Sequence, residues 1–227
     1  MRKVAFAEGE IYHIFNRGVD KRKIFEDGSD LERFLLSMMV FNTKEPVGSI
    51  YEHLYEHKKK KGKSKFGRAT SKKGELVEFV AYCLNPNHYH LLLKEIAEKG
   101  IERFMKKLGN GYTKYFNNRH KRNGVLFQGP FQAVHVNSNT QLLHVSVYIN
   151  LNNRFKKREL NLSRSSWEEY VGLESNGICK KEIILGQFKS KQSYLDFAKS
   201  SLKDIINRKN KEKELKNPNL DMPRPKN

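Results

Sequence analysis

The chain has 227 residues, 37% of them hydrophobic, enough to core one domain with an extension. Lys and Arg number 44 against 25 Asp and Glu, a net charge of +19 and a pI of about 9.8, which favours polyanionic partners, nucleic acid before an acidic membrane surface. Cys83 and Cys179 stand far apart without any CxxC, and no run approaches the ~18 apolar residues of a membrane span, so a disulfide-stapled scaffold, a cysteine zinc site and a spanning helix are excluded.

The amino terminus lacks the apolar stretch of a secretory signal, and the cytoplasm is the expected location. Ile11 to Phe15 mixes aromatic and β-branched residues and stops at Asn16-Arg17-Gly18, a strand ending in a turn. Between Asp30 and Phe41, Leu31, Phe34, Leu35, Met38 and Met39 recur at helical spacing, with Ser29 or Asp30 available as the cap. Residues 57–74 carry nine Lys and Arg and no acid, a block that repels itself and reads as a mobile basic insertion, about residues 53–75. Residues 76–84 and 88–93 read as two strands about the turn Asn85-Pro86-Asn87. Ile101, Phe104, Met105, Leu108, Tyr112, Tyr115 and Phe116 then share one helical stripe, weakened near its middle by Gly109 and Gly111. Val125 to Phe127 and Phe131 to Val136 suggest a strand or hairpin arm interrupted at Gly129-Pro130.

This β-α-β-β-α-β order predicts an α+β, ferredoxin-like antiparallel sheet with two helices on one face and the other face left for function. Residues 1–155 form the expected catalytic domain. Residues 156–208, with Trp167, Tyr170, Tyr194 and Phe197, form an appendage, and 209–227, with three of the six prolines, a disordered tail. Residues 139–154 divide the local rules. His144 to Asn152 alternates polar and apolar as a strand would, yet Ser138 or Asn139 can cap a helix, and Leu142, Val145 and Ile149 fit helical spacing. The pattern leaves both open.

His88-Tyr89-His90 falls on a predicted strand, where i and i+2 side chains leave the same face, so two imidazoles converge as half of a metal site; alone, the pair reads first as two histidines that happen to alternate in a strand, and further ligands are needed to reverse that. His144, Tyr148 and Asn152 are spaced by four and stack along one side of a helix. In a helix Tyr148 and Asn152 are ~6 Å apart along the axis, in a strand roughly 13 Å, so only the helix lets a phenol and an amide serve one small site. A phenol can attack a phosphodiester, and a divalent cation can polarise the phosphate. Two imidazoles and an amide oxygen suit Mn²⁺, while Mg²⁺ relies more on water and phosphate oxygens. Tyr112 and Tyr115 lie on the apolar stripe and are expected in the core or a groove, and His144 is expected to hydrogen-bond rather than exchange protons.

Leu84-Asn85-Pro86-Asn87-His88-Tyr89-His90-Leu91-Leu92-Leu93 resembles the HUH motif of the single-tyrosine, IS200-like transposases, and Tyr148-Ile149-Asn150-Leu151-Asn152-Asn153 resembles their helix bearing the nucleophile. Residues 111–118 and 124–129 resemble connecting segments of the REP-associated branch. The resemblance covers about residues 10 to 200, including Ser165-Ser166-Trp167 and Leu185-Gly186-Gln187-Phe188. It implies that His88, His90 and Asn152 hold a divalent metal, Mg²⁺ or Mn²⁺, and that Tyr148 forms a 5′-phosphotyrosyl bond and releases a 3′-OH. It also implies a helix over the tyrosine segment. Asn153 stands where a proline is usual, and Pro130 where a basic residue often follows the glycine.

The expected partner is single-stranded DNA, hairpin-forming at its recognised end, with Arg17, Lys114, Arg119, Arg122 and Arg154 as candidate backbone contacts, and no membrane. A monomer is favoured over a homodimer because of the appendage. Three rivals make distinct predictions. A catalytically retired relative that only binds nucleic acid would show no cleavage. An RNA-recognition module would need an RNP1 motif, which is not evident. A hydrolase with a structural Tyr148 would keep cleaving as Tyr148→Phe.

Overall fold

The computed structural model describes residues 4–48, 50, 74–154, 162–173 and 177–216, with side chains to 208. The predicted basic insertion falls mostly outside the described residues. Five strands form one antiparallel sheet: β1 (Ile11–Arg17), β2 (Val77–Asn85), β3 (His88–Glu95), β4 (Gln132–His135) and the two-residue β5 (Arg164–Ser165), in the order β4-β1-β3-β2-β5. The first four strands take the expected ferredoxin-like order, and β5 extends the sheet beyond β2.

Alternation along the strands divides the core into two layers. Tyr12, Ile14, Tyr89, Leu91 and Leu93 pack under α1 (Gly28–Phe41) and α2 (Gly100–Arg119), whose apolar stripes supply Phe34, Met38, Phe104, Leu108 and Tyr112. Leu92, Ala81 and Cys83 face the other way. In β2 the pairing with β3 shifts between Phe79 and Ala81, a bulge that changes the parity. Val77 and Phe79 before it and Tyr82 and Leu84 after it therefore share the α1–α2 face, while Val80, Ala81 and Cys83 share the opposite one.

The helices differ from expectation chiefly at their ends. The cap of α1 is Asp27, whose carboxylate accepts from the backbone N–H groups of Ser29 and Asp30, so the helix starts earlier than Ser29 or Asp30 as cap would give. Of residues 125–127 only Phe127 pairs, in an isolated bridge to Gly18 rather than a strand, and only Gln132–His135 pairs regularly with β1. The ambiguous segment is helical: α3 (Asn139–Asn150) is capped by Ser138, whose hydroxyl accepts from Gln141 N.

The second face of the sheet is covered by α3 and by the appendage, α4 (Trp167–Tyr170), α5 (Glu182–Leu185) and α6 (Lys191–Lys216). The appendage therefore closes a second core of Val147, Ile149, Tyr170, Ile184, Tyr194 and Ala198. Helix α6 continues to Lys216, into the stretch expected to be a disordered tail. That stretch has no proline or glycine before Pro218 and is rich in Lys and Glu, which are good helix formers. The thiols fit ordinary packing: Cys83 is buried and pushed up to about 12 by desolvation, and Cys179 is half-buried.

Candidate active site

Period-two alternation sends His88 and His90 to the face of β3 that α3 crosses, and Tyr89 into the opposite core. Tyr148 comes from the last part of α3. Its half-buried ring lies edge-on to His90, with centroids 5.6 Å apart, and edge-on to His13 at 6.1 Å. Asn152 sits in the turn just past the helix rather than within it, its backbone N–H reaching Ile149 O at 3.2 Å, and still forms a side-chain hydrogen bond with Tyr148. Burial raises the Tyr148 pKa and the Asn152 contact opposes that rise, so the phenol is protonated at neutral pH.

The amide of Asn85, at the end of β2, joins these groups. Its Nδ2 stands 3.1 Å from Asn152 Oδ1 and 3.2 Å from His88 Nε2. Both atoms therefore turn to one amide nitrogen, each toward one of its two N–H bonds, as two ligands of one cation would turn to the ion. The donor set of two imidazole nitrogens and an amide oxygen fits Mn²⁺, or Mg²⁺ with its remaining positions filled by water and phosphate. Among the described residues no cluster of three or more His, Cys, Asp or Glu side chains is placed to hold a metal, so a metal held here would draw on the amide as well as the imidazoles.

Sequence reasoning missed His13 and Asn85 as members of this site. His13 lies on β1, its Nε2 2.9 Å from His90 Nδ1, and burial pulls its pKa down to about 4, which makes it neutral. A strand histidine on the same parity as Phe15 was the available signal, but the β1–β3 register that sets it against His90 is a tertiary fact.

A cleft of about 730 Å³ opens over His88, His90 and Tyr148 and is also lined by Phe15, Arg17, Lys21, Gln128 and Gln132, with Asn85 and Asn152 buried behind it. Arg17 is the one candidate DNA contact on its wall, held there by Gln128 Oε1 at 3.0 and 2.7 Å. The other cations lie elsewhere. Lys114 is exposed on α2. Arg119 grips Asp27 and the fully buried Asp30. Arg122 stands over the Phe116 ring, and Arg154 reaches Glu168 and Trp167. Tyr112 is buried, with its hydroxyl on Ile24 O, and Tyr115 bonds Asp30, so both belong to the packing of α1 and α2. His144 turns to Ser201 on α6, at 2.7 Å.

The class this arrangement defines is a basic α+β domain that presents a phenol and a histidine pair in one cleft on an antiparallel sheet, with an amide buried beside them. Residues 11–152, more than half of the chain, match the family described as "Transposase IS200 like", and the chain belongs to that family of transposases. The match ends at Asn152, before the appendage. Among solved structures, the chain is similar to one described as "Structure of the REP associates tyrosine transposase bound to a REP hairpin", at 11% identity and a TM-score of 0.42, covering 77% of this chain and 88% of that one. No curated protein matches. No helix among the described residues is long and apolar enough to cross a membrane.

Proposed function

We propose that this transposase cleaves and rejoins single-stranded DNA at a hairpin-forming end, as the REP-associated branch is expected to do, with Tyr148 as nucleophile and His88, His90 and Asn152 as holders of Mg²⁺ or Mn²⁺. The observation that carries the reading is the contact of the Tyr148 ring with His90, beside the Asn152 amide, at the wall of an open cleft. Family membership and a charge of +19 support the substrate class.

The Tyr148 oxygen attacks phosphorus, an O–P bond to tyrosine forms, and the P–O3′ bond breaks. The phenolic proton leaves to solvent through the open cleft, and the departing 3′ oxygen takes up a proton to become the 3′-OH. Rejoining is the reverse, with a 3′-OH attacking the phosphotyrosine. A divalent cation held by His88, His90 and Asn152 would supply positive charge to the phosphate and the departing oxygen. Arg17, preset by Gln128, holds a neighbouring backbone phosphate. Tyr148 acts in its own chain's cleft and the protein works as a monomer, because α6 fastens the outer side of α3 through Tyr194 and Ser201.

The test is incubation of wild type, Tyr148→Phe and His88→Ala with labelled hairpin-tailed single-stranded DNA and Mn²⁺, Mg²⁺ or chelator, read on a denaturing gel. A metal-dependent covalent protein–DNA band, absent in Tyr148→Phe, is expected. Cleavage that survives in Tyr148→Phe would overturn the nucleophile assignment. Salt-sensitive binding without cleavage of any hairpin would assign the chain to the DNA-binding, catalytically silent alternative.

A further inference from the structure

We propose that Asn87 and His13 are positioning residues that fix the Nδ1–H tautomer of His88 and His90, so that each ring offers its Nε2 lone pair to the cation. The inference rests on the proposed metal site and concerns groups one layer behind the ligands.

For His88 the argument follows from which atoms can only accept. Asn87 Nδ2 donates to the backbone carbonyl of Lys21 at 3.1 Å, so the opposite end of that amide, Oδ1, faces His88, 2.7 Å from its Nδ1. A carboxamide oxygen has no proton to give, so Nδ1 carries the hydrogen and Nε2 is bare. The far side of the ring agrees, because Nε2 faces the donating Asn85 Nδ2 at 3.2 Å. The carbonyl that orients Asn87 is itself presented by an uncommon backbone: Asp20 and Lys21 both have positive φ, 54° and 60°. Asn87 also fastens the same turn through its own carbonyl, which accepts from Gly18 N at 2.9 Å.

For His90 the partner is a second imidazole. His90 Nδ1 and His13 Nε2 are 2.9 Å apart, and a bond between two ring nitrogens holds a single proton. Register puts them there: Phe15 pairs with His90 and His13 with Leu92, so the two imidazoles are diagonal neighbours on one face. His90 can ligate through Nε2 with its ring neutral only when that proton sits on its own Nδ1 and His13 accepts. Ligating histidines are ordinarily held by an acceptor of this kind, and its removal weakens metal binding about 10–100-fold. His13 fills the place usually taken by a carboxylate or a carbonyl.

The experiment uses the full-length protein labelled with ¹⁵N-histidine. Long-range ¹H–¹⁵N spectra of the metal-free protein are expected to show Nδ1–H and bare Nε2 for both His88 and His90. Mn²⁺ affinity, read by electron paramagnetic resonance, is expected to fall about 10–100-fold in Asn87→Ala and His13→Leu, and to recover to within a few-fold in the acceptor-keeping Asn87→Asp and His13→Gln. An Nε2–H tautomer on either ring of a wild type that binds Mn²⁺ would overturn this inference alone. So would truncated variants that bind Mn²⁺ as tightly as wild type. A wild type with both expected tautomers but no Mn²⁺ binding would overturn the metal site itself, and with it the positioning role of Asn87 and His13.

Discussion

Substitution of Asn150 by Ala tests whether the appendage holds the tyrosine helix in place. Asn150 is fully buried two residues after Tyr148. Its Oδ1 accepts from Ser166 Oγ at 2.5 Å and its Nδ2 donates to the Tyr194 hydroxyl at 3.2 Å, so one amide ties α3 to the β5–α4 junction and to α6. In Asn150→Ala, Ser166 Oγ still has Tyr82 O as acceptor at 3.2 Å, and the loss there is one ordinary bond, about 1 kcal/mol. The buried Tyr194 hydroxyl is left without its donor, about 1–3 kcal/mol more. The expected destabilisation is about 2–4 kcal/mol. Asn139→Ala is the control: its bond to Gln187, at 2.7 Å, also links α3 to the appendage but is exposed, so water replaces it at a cost below about 0.5 kcal/mol. Urea unfolding read by the single tryptophan, Trp167, whose ring lies 6.2 Å from that of Tyr194, measures both. Covalent adduct formation by Asn150→Ala should fall with stability, because Tyr148 rides on the loosened end of α3. Equal losses in the two variants would refute the argument that burial decides which link matters.

Two glycines of α2 predict opposite signs. A Cβ on Gly111 would meet Phe41 Cε2 and Cζ at 2.5 Å, so Gly111→Ala should destabilise by about 1–3 kcal/mol, whereas Gly109 has nothing within 4 Å, so Gly109→Ala should stabilise by about 0.5–1 kcal/mol in the same urea titration. Glu95 is buried, with Oε1 accepting from Gly100 N at 3.1 Å and Oε2 without a partner among the described residues, and desolvation raises its pKa. An acid whose folded pKa is raised binds more protons folded than unfolded, so wild type loses stability as pH rises from the ordinary glutamate range through the raised value. Glu95→Gln should remove that slope and raise the urea midpoint at pH 7 more than at pH 4. Arg119→Gln strips one partner from the buried Asp30 carboxylate, which keeps His120 at 2.9 Å and Tyr115 at 3.1 Å, and should cost about 3 kcal/mol while leaving the DNA affinity of the folded protein nearly unchanged. Arg17→Ala should instead weaken single-stranded DNA binding and lower the salt slope by about one, as measured by fluorescence anisotropy at several salt concentrations.

Strand β1 and helices α1 and α2 were legible because each buries mainly one face, and β2 and β3, buried on both faces, were legible as apolar runs about the turn signal Asn85-Pro86-Asn87. The tyrosine helix was not, and its burial explains why. Leu142, Val147, Ile149 and Leu151 are buried and Leu143, Val145 and Tyr148 partly so, because the sheet covers one side of α3 and the appendage another. A helix covered on two sides needs apolar residues around most of its circumference, and its 3.6-residue period dissolves into something close to alternation. The family resemblance decided what the pattern left open.

The site divides along the same line. His88 and His90 could be read as a pair because i and i+2 on a strand share a face whatever the rest of the chain does. The HUH–tyrosine resemblance joined Tyr148 and Asn152 to them. The residues that orient those groups had no comparable local signal: His13 is 77 positions from His90, Asn85 is 67 from Asn152, and Asn87 takes its orientation from Lys21, 66 residues earlier. Each of these contacts depends on strand register, on the β2–β3 turn or on a left-handed backbone pair, and none is a motif. Net charge was equally uninformative about individual residues. Arg119, Arg122 and Arg154 all look like DNA contacts in a +19 chain, yet they are engaged by Asp27 and Asp30, by the Phe116 ring, and by Glu168 and Trp167. Of the five candidate cations only Arg17 reaches the cleft wall, because it ends the strand that carries His13 and is held there by Gln128, so the first contact to test for DNA is the one that β1 positions beside the chemistry.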